Sequence, residues 1–97
     1  MLKSCYEIIE ELRTHKAVLE ERFHVRRIGV FGSHVRGQAK PDSDIDTLVE
    51  LGKPTFDGYM DLKFYLEELL PSPVDLVLAD NVKPRLKPYI EREVVYA

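Results

Sequence analysis

Cysteine is almost missing from this chain: Cys5 is the single one in 97 residues. One thiol excludes an intramolecular disulfide framework and any multi-cysteine metal site. No basic cluster surrounds it to hold a thiolate, so Cys5 reads as a small apolar group on the first helix rather than a nucleophile. Apolar runs of bilayer length are also absent, and Met1-Leu2-Lys3-Ser4 carries neither an apolar h-region nor a small-residue cleavage site. A cytoplasmic protein with no membrane contact is the expectation. An excess of basic charge is lacking too: the net charge is -3. That argues against a protein that coats nucleic acid, and no stable nucleic-acid binding is expected. A nucleotide stays open, because a metal can carry its charge. There is no internal repeat and no long linker, so residues 1–97 are read as a single domain. A chain this short buries roughly 60 to 65% of its unfolded surface, which leaves room for a partner to add stability.

What is present reads as alternating elements. Ser4 and Glu7 have capping-box spacing, and Ile8, Ile9, Leu12, Leu19 and Phe23 recur at helical intervals, predicting one helix from about residue 5 to 22. Val25 to Phe31 is a β-rich run that stops at Gly32-Ser33, a strand ending in a tight turn. Residues 34 to 39 suit a short helix, Lys40-Pro41-Asp42-Ser43 supplies turn chemistry, and Asp44 to Leu51 is a second strand returning beside the first. Asp57 is the expected cap of a helix carrying Tyr59, Leu62, Leu66, Leu69 and Leu70 on one side, closed by Pro71 and Pro73. Val74 to Leu78 is a third strand. The tail from Lys83 suggests a short helix near Pro88 and a last edge strand at Glu93 to Tyr96.

Chemistry concentrates in Gly32-Ser33-His34-Val35-Arg36-Gly37 and Ser43-Asp44-Ile45-Asp46. Alternation along a strand sends Asp44 and Asp46 to one face and Ile45 to the core. Side-by-side carboxylates are unfavourable unless neutralised, and hard divalent cations prefer carboxylate oxygens. Asp75 is the carboxylate of an otherwise apolar strand. If the strands are neighbours, Asp44, Asp46 and Asp75 form a cluster able to hold two Mg²⁺ ions about 3.5 to 4 Å apart, suited to in-line attack at phosphorus. A glycine between strand and helix lets backbone N–H groups approach phosphate oxygens, and the Ser33 hydroxyl can donate to the same group. Arg36, one turn on, either contacts the triphosphate or pairs with a structural carboxylate. Asp75 after Ser-Pro could instead cap or pair locally. His34 is read as a solvated helix residue more readily than as a nucleotide contact, and the three histidines lack metal-ligand spacing. Tyr59, Tyr65, Tyr89 and Tyr96 are read as core or interface groups rather than base-stacking platforms.

Gly-Ser, a short helix, Asp-x-Asp on a strand and a later strand Asp together resemble the polymerase-beta-like nucleotidyltransferases. The Gly-Ser-x-x-Arg-Gly and Ser-Asp-Ile-Asp forms, in a chain of this length, look like the prokaryotic minimal nucleotidyltransferases. The resemblance implies an α/β (α+β) fold, a small mixed β-sheet backed by helices. It implies Gly32 and Ser33 as holders of a triphosphate, Asp44 and Asp46 as ligands of both metals, and Asp75 as the third carboxylate that prepares the acceptor hydroxyl. Thr47, where many relatives are apolar, is a departure of little consequence, since it should face away from the aspartates. Minimal members are similar to antitoxins paired with a helical HEPN-type toxin, which implies transfer of AMP from ATP to a tyrosine of that toxin.

Two other readings stand beside this enzyme. One is a nucleotide-binding module that neutralises its partner by occlusion; the intact acids disfavour it. The other is a small-molecule nucleotidyltransferase of the antibiotic-modifying type, which would need a pocket from a second subunit, so a homodimer stays open.

Overall fold

The computed structural model describes residues 4–40, 43–70 and 72–97. Helix α1 (Cys5–Thr14) opens with the capping box, Glu7 N donating to Ser4 Oγ at 3.2 Å. The single first helix read from the sequence is two helices, since α2 (Lys16–Phe23) starts anew after His15 leaves helical geometry at φ -102, ψ 12. Side chains cause the break. Thr14 Oγ1 donates to the Glu10 carbonyl at 2.9 Å and His15 Nδ1 meets the Glu11 carbonyl at 3.0 Å, competing with the backbone ladder.

Strand β1 (Val25–Phe31) leads through Gly32 into the one-turn helix α3 (Ser33–Arg36). Strand β2 (Ile45–Leu51) begins one residue later than the sequence suggested, because Ile45 N is the first amide bonded across, to Pro73 O at 2.9 Å. Helix α4 (Phe56–Leu69) is capped by Thr55 and not Asp57: Gly58 N donates to Thr55 Oγ1 at 3.0 Å. With Thr55 as the cap the helix starts at Phe56, which places Asp57 inside the first turn, where its charge still suits the helix dipole. Strand β3 (Val74–Leu78), a 3₁₀ turn (Ala79–Asn81), helix α5 (Lys87–Glu93) with Pro88 in its first turn, and a two-residue strand β4 (Val95–Tyr96) complete the chain. The turn residues Pro41 and Asp42 and the helix-closing Pro71 lie outside the described residues.

The sheet order is β3-β2-β1-β4, with β1 antiparallel to both β2 and β4 and β2 parallel to β3. A mixed sheet backed by helices is what the family resemblance implied. Ile28, Val30, Ile45, Val49, Val74 and Leu76 meet Ile8, Leu12, Leu19, Leu62 and Leu66 of the helices in one core. Each such side chain contributes about 1.5 to 3 kcal/mol on burial. Covering one face with α1, α2 and α4 leaves Asp46 and Asp75 on the other, where the alternation of β2 and β3 points them. Among the described residues no helix is long and apolar enough to cross a membrane.

Candidate active site

Gly32 turns the chain out of β1 at φ 80, ψ -150, a region that L side chains rarely adopt. A Cβ added there would also overlap the Asp46 carboxylate. Two constraints thus demand glycine at this point, and the second fixes a close approach between the Asp46 side chain and the backbone of the turn. The Gly32 carbonyl accepts from Val35 N and Arg36 N, both at 3.1 Å, winding α3. Ser33 follows on that turn and Gly37 ends it at φ 72.

Asp46 faces Phe31 across β1–β2 and Asp75 across β2–β3. The two carboxylates therefore stand in register on neighbouring strands. Asp46, half-buried, has its pKa raised from 3.8 to about 6, first by desolvation, then by the charge of Asp75 and a hydrogen bond with it, then by Asp44, with Arg36 opposing. Asp44 is exposed and precedes the strand, so it acts on Asp46 through space. Among the described residues no three His, Cys, Asp or Glu side chains close around one point. The chemistry of the donor set nevertheless fits a divalent cation: hard carboxylate oxygens, with the Asp46 carboxyl pushed up by desolvation and by its acidic neighbours.

Arg36 makes the ion pair that the sequence allowed. Its Nη1 meets Glu93 Oε1 at 2.8 Å, and its Nε donates to Gln38 Oε1 at 3.1 Å. Glu93 Oε1 also accepts from Gly32 N. Sequence reasoning missed Glu93, which sits 61 residues from Gly32 with nothing in its local pattern to mark it. His34 departs from the solvated reading as well. Its side chain is buried at 6% exposure, neither ring nitrogen has a hydrogen-bond partner among the described residues, and burial lowers its pKa. The one-turn helix is too short to keep this residue in solvent while presenting Ser33 and Arg36 outward.

Two clefts lie along the far part of the sheet and beneath the 3₁₀ turn, lined by residues such as Leu48, Glu50, Ala79, Asp80 and Tyr96, and another is lined by Phe23 of α2 with Asp61 and Tyr65 of α4. Asp46 and Asp75 lie outside these clefts. Asp75 is exposed and Asp46 half-buried, so the two carboxylates open to solvent.

A model of the nucleotidyltransferase domain matches residues 12–97, a span that holds the Gly32-Ser33 turn and both in-register aspartates. The chain belongs to the nucleotidyltransferase domain family. It is 50% identical over 91 residues to protein adenylyltransferase MntA of Thermococcus cleftensis, covering 93% of this chain and 92% of that one. A solved structure assigned to the minimal nucleotidyltransferases is 37% identical, with a TM-score of 0.73 over 90% of this chain and 93% of the other. The fold also resembles a solved complex of a tri-AMPylated Shewanella oneidensis HEPN toxin with its MNT antitoxin, at 19% identity and a TM-score of 0.59 over 89% of this chain and 70% of that one. This nucleotidyltransferase is accordingly an enzyme of the minimal class.

Proposed function

We propose that this nucleotidyltransferase is a protein adenylyltransferase that transfers AMP from ATP, with Mg²⁺, to a tyrosine of a HEPN-type toxin, acting as its antitoxin in the cytoplasm. The observation that carries the reading is the pairing of Asp46 and Asp75 beside the Gly32-Ser33 turn on an open sheet face. Half-identity to an MntA adenylyltransferase along most of both chains supports the protein acceptor, and the AMPylated toxin bound by the Shewanella antitoxin supports the partner class.

In this reading Ser33 binds the triphosphate with its hydroxyl, and Gly32 allows the close approach. Asp44 and Asp46 hold the metal, and Asp75 orients the acceptor hydroxyl and draws its proton. Bound Mg²⁺ would neutralise the phosphate oxygens and the crowded carboxylates together. The tyrosine oxygen forms a bond to the α-phosphorus as the bond to pyrophosphate breaks. A macromolecular acceptor closes over the carboxylates that open to solvent.

Two other readings share these residues: an occluding nucleotide-binding module, and an enzyme acting on a small molecule. All three aspartates are present, and the first of these alternatives gives them no chemistry to do. The test incubates the purified chain with α-labelled ATP and Mg²⁺, with and without a HEPN-type partner. Label on the partner that disappears with Asp44→Asn is the expected result. Metal-dependent ATP binding without transfer to the partner would overturn the adenylyltransferase reading in favour of occlusion.

A further inference from the structure

We infer that Glu93, the last residue of α5, is a positioning residue of the nucleotidyl-transfer site, holding the Gly32-Ser33 turn and Arg36 in the geometry that receives the triphosphate. This rests on the proposed nucleotide-binding role of that turn. One carboxylate oxygen of Glu93 takes both the Gly32 N–H and the Arg36 guanidinium, the latter at 2.8 Å. These two donors flank Ser33 on either side, one before it in the chain and one a helical turn after it. Glu93 thus ties both ends of the segment that presents Ser33. With its side chain 24% exposed, the pair is partly withdrawn from solvent, where a charge-assisted hydrogen bond is stronger than a neutral one.

The rest of the tail keeps Glu93 in place. Strand β4 pairs Val95 with Val30 and Tyr96 with Gly29. A Cβ at Gly29 would come within 2.8 Å of both Val94 Cγ2 and the Val95 carbonyl, so the tail lies as close as a glycine allows. The Arg27 guanidinium stacks 4.4 Å from the Tyr96 ring centre, and Ala97 N donates to Ile28 O at 2.9 Å. The strand that leads into the turn is therefore the strand that anchors the tail, and Glu93 closes that loop at the site itself.

The experiment measures ATP·Mg²⁺ affinity by calorimetry, and separately KM and kcat, for Glu93→Ala, Glu93→Gln and the exposed neighbour Glu91→Gln. Each is accompanied by an amide spectrum of the nucleotide-free protein that follows Gly32 N–H. Glu93→Ala should raise Kd and KM about tenfold, which corresponds to ~1.4 kcal/mol. Glu93→Gln keeps an acceptor for Gly32 N–H but loses the charge facing Arg36, and should fall between wild type and Ala; Glu91→Gln should match wild type. The Gly32 amide should shift and lose exchange protection in Glu93→Ala. Tighter ATP binding in Glu93→Ala would overturn the inference, because Glu93 would then be an anion filling the phosphate site. Lower thermal stability with unchanged Kd and KM would overturn it equally, reducing Glu93 to a structural tie. If wild type binds no ATP, the proposed function fails on its own, and an unmoved Gly32 amide in Glu93→Ala would still refute the tie.

Discussion

Asp46 lies directly across from Asp75 in the parallel β2–β3 register, and its carboxyl titrates at about 6 instead of 3.8. A carboxyl whose folded pKa is raised favours folding fully below its unfolded value, and that contribution is lost as pH rises through the folded one. For the metal-free protein the window is therefore about pH 4 to 6, and at pH 7 the crowded carboxylate opposes folding. Two units correspond to almost 3 kcal/mol, but the group is only partly buried, and solvent screening reduces the figure to about 1 kcal/mol. In chelator, Asp46→Asn should be about 1 kcal/mol more stable than wild type at pH 7 and lose that advantage by pH 4. Urea midpoints at the two pH values measure it. Equal midpoints for both proteins throughout would remove the electrostatic account.

The proposed division of labour among the acids predicts a split. Asp44→Asn should abolish transfer and weaken metal-dependent ATP binding together, since it is assigned to the metal. Asp75→Asn should lower kcat by 10² to 10⁴-fold, about the range of general base catalysis, while Kd for ATP moves far less. Single-turnover transfer beside equilibrium ATP titration separates the two. Parallel losses in Asp75→Asn would assign it to nucleotide binding instead.

Legibility in the sequence followed the range of the physics involved. Val25–Phe31 and Val74–Leu78 are strands with the bounds that β-branched content and flanking turns announce, because side-chain alternation is a local signal. Asp44 and Asp46 could be placed on one face for that reason, while the meeting of Asp46 with Asp75 depended on which strands are neighbours, which the fold decides. The break at His15 was hidden because side chains bonding to carbonyls four residues back leave the hydrophobic period intact. Glu93 was invisible for a different reason: its role exists only through a contact across 61 residues. His34 misled because a polar residue on a one-turn helix carries no periodicity from which burial can be read.

Gly32 and Gly37 form an internal control. Both have positive φ, 80 and 72 degrees, but Gly37 lies in the left-handed helical region, where alanine costs about 1 to 2 kcal/mol, while Gly32 at ψ -150 lies in a region essentially reserved for glycine, with strain of about 1 to 3 kcal/mol. Only at Gly32 would the new Cβ collide, with the Asp46 carboxylate; at Gly37 nothing lies within 4 Å. Gly32→Ala should therefore be clearly the more destabilising and should displace Asp46, costing activity out of proportion to stability. Gly37→Ala should remain active. Thermal melts paired with transfer rates give the comparison, and equal effects at both positions would show that strain, not the contact with Asp46, sets the need for glycine at 32.

At the start of α4 the sequence offered Asp57 as the cap and the structure uses Thr55, whose hydroxyl accepts from Gly58 N at 3.0 Å. The two assignments differ in a measurable way. Removing a side-chain cap leaves a helix amide unsatisfied and costs about 1 kcal/mol. Removing a first-turn carboxylate loses only its interaction with the helix dipole, about 0.3 to 1 kcal/mol and less in salt. Thr55→Ala should thus cost more than Asp57→Ala, and raising the salt concentration should shrink the Asp57→Ala effect while leaving that of Thr55→Ala in place. Because α4 carries Leu62 and Leu66 into the core beneath β2 and β3, fraying at Thr55 should also loosen the strands that bear Asp46 and Asp75. Denaturant midpoints of the two variants at low and high salt decide between the caps, and a larger, salt-sensitive loss from Asp57→Ala would restore the cap read from the sequence.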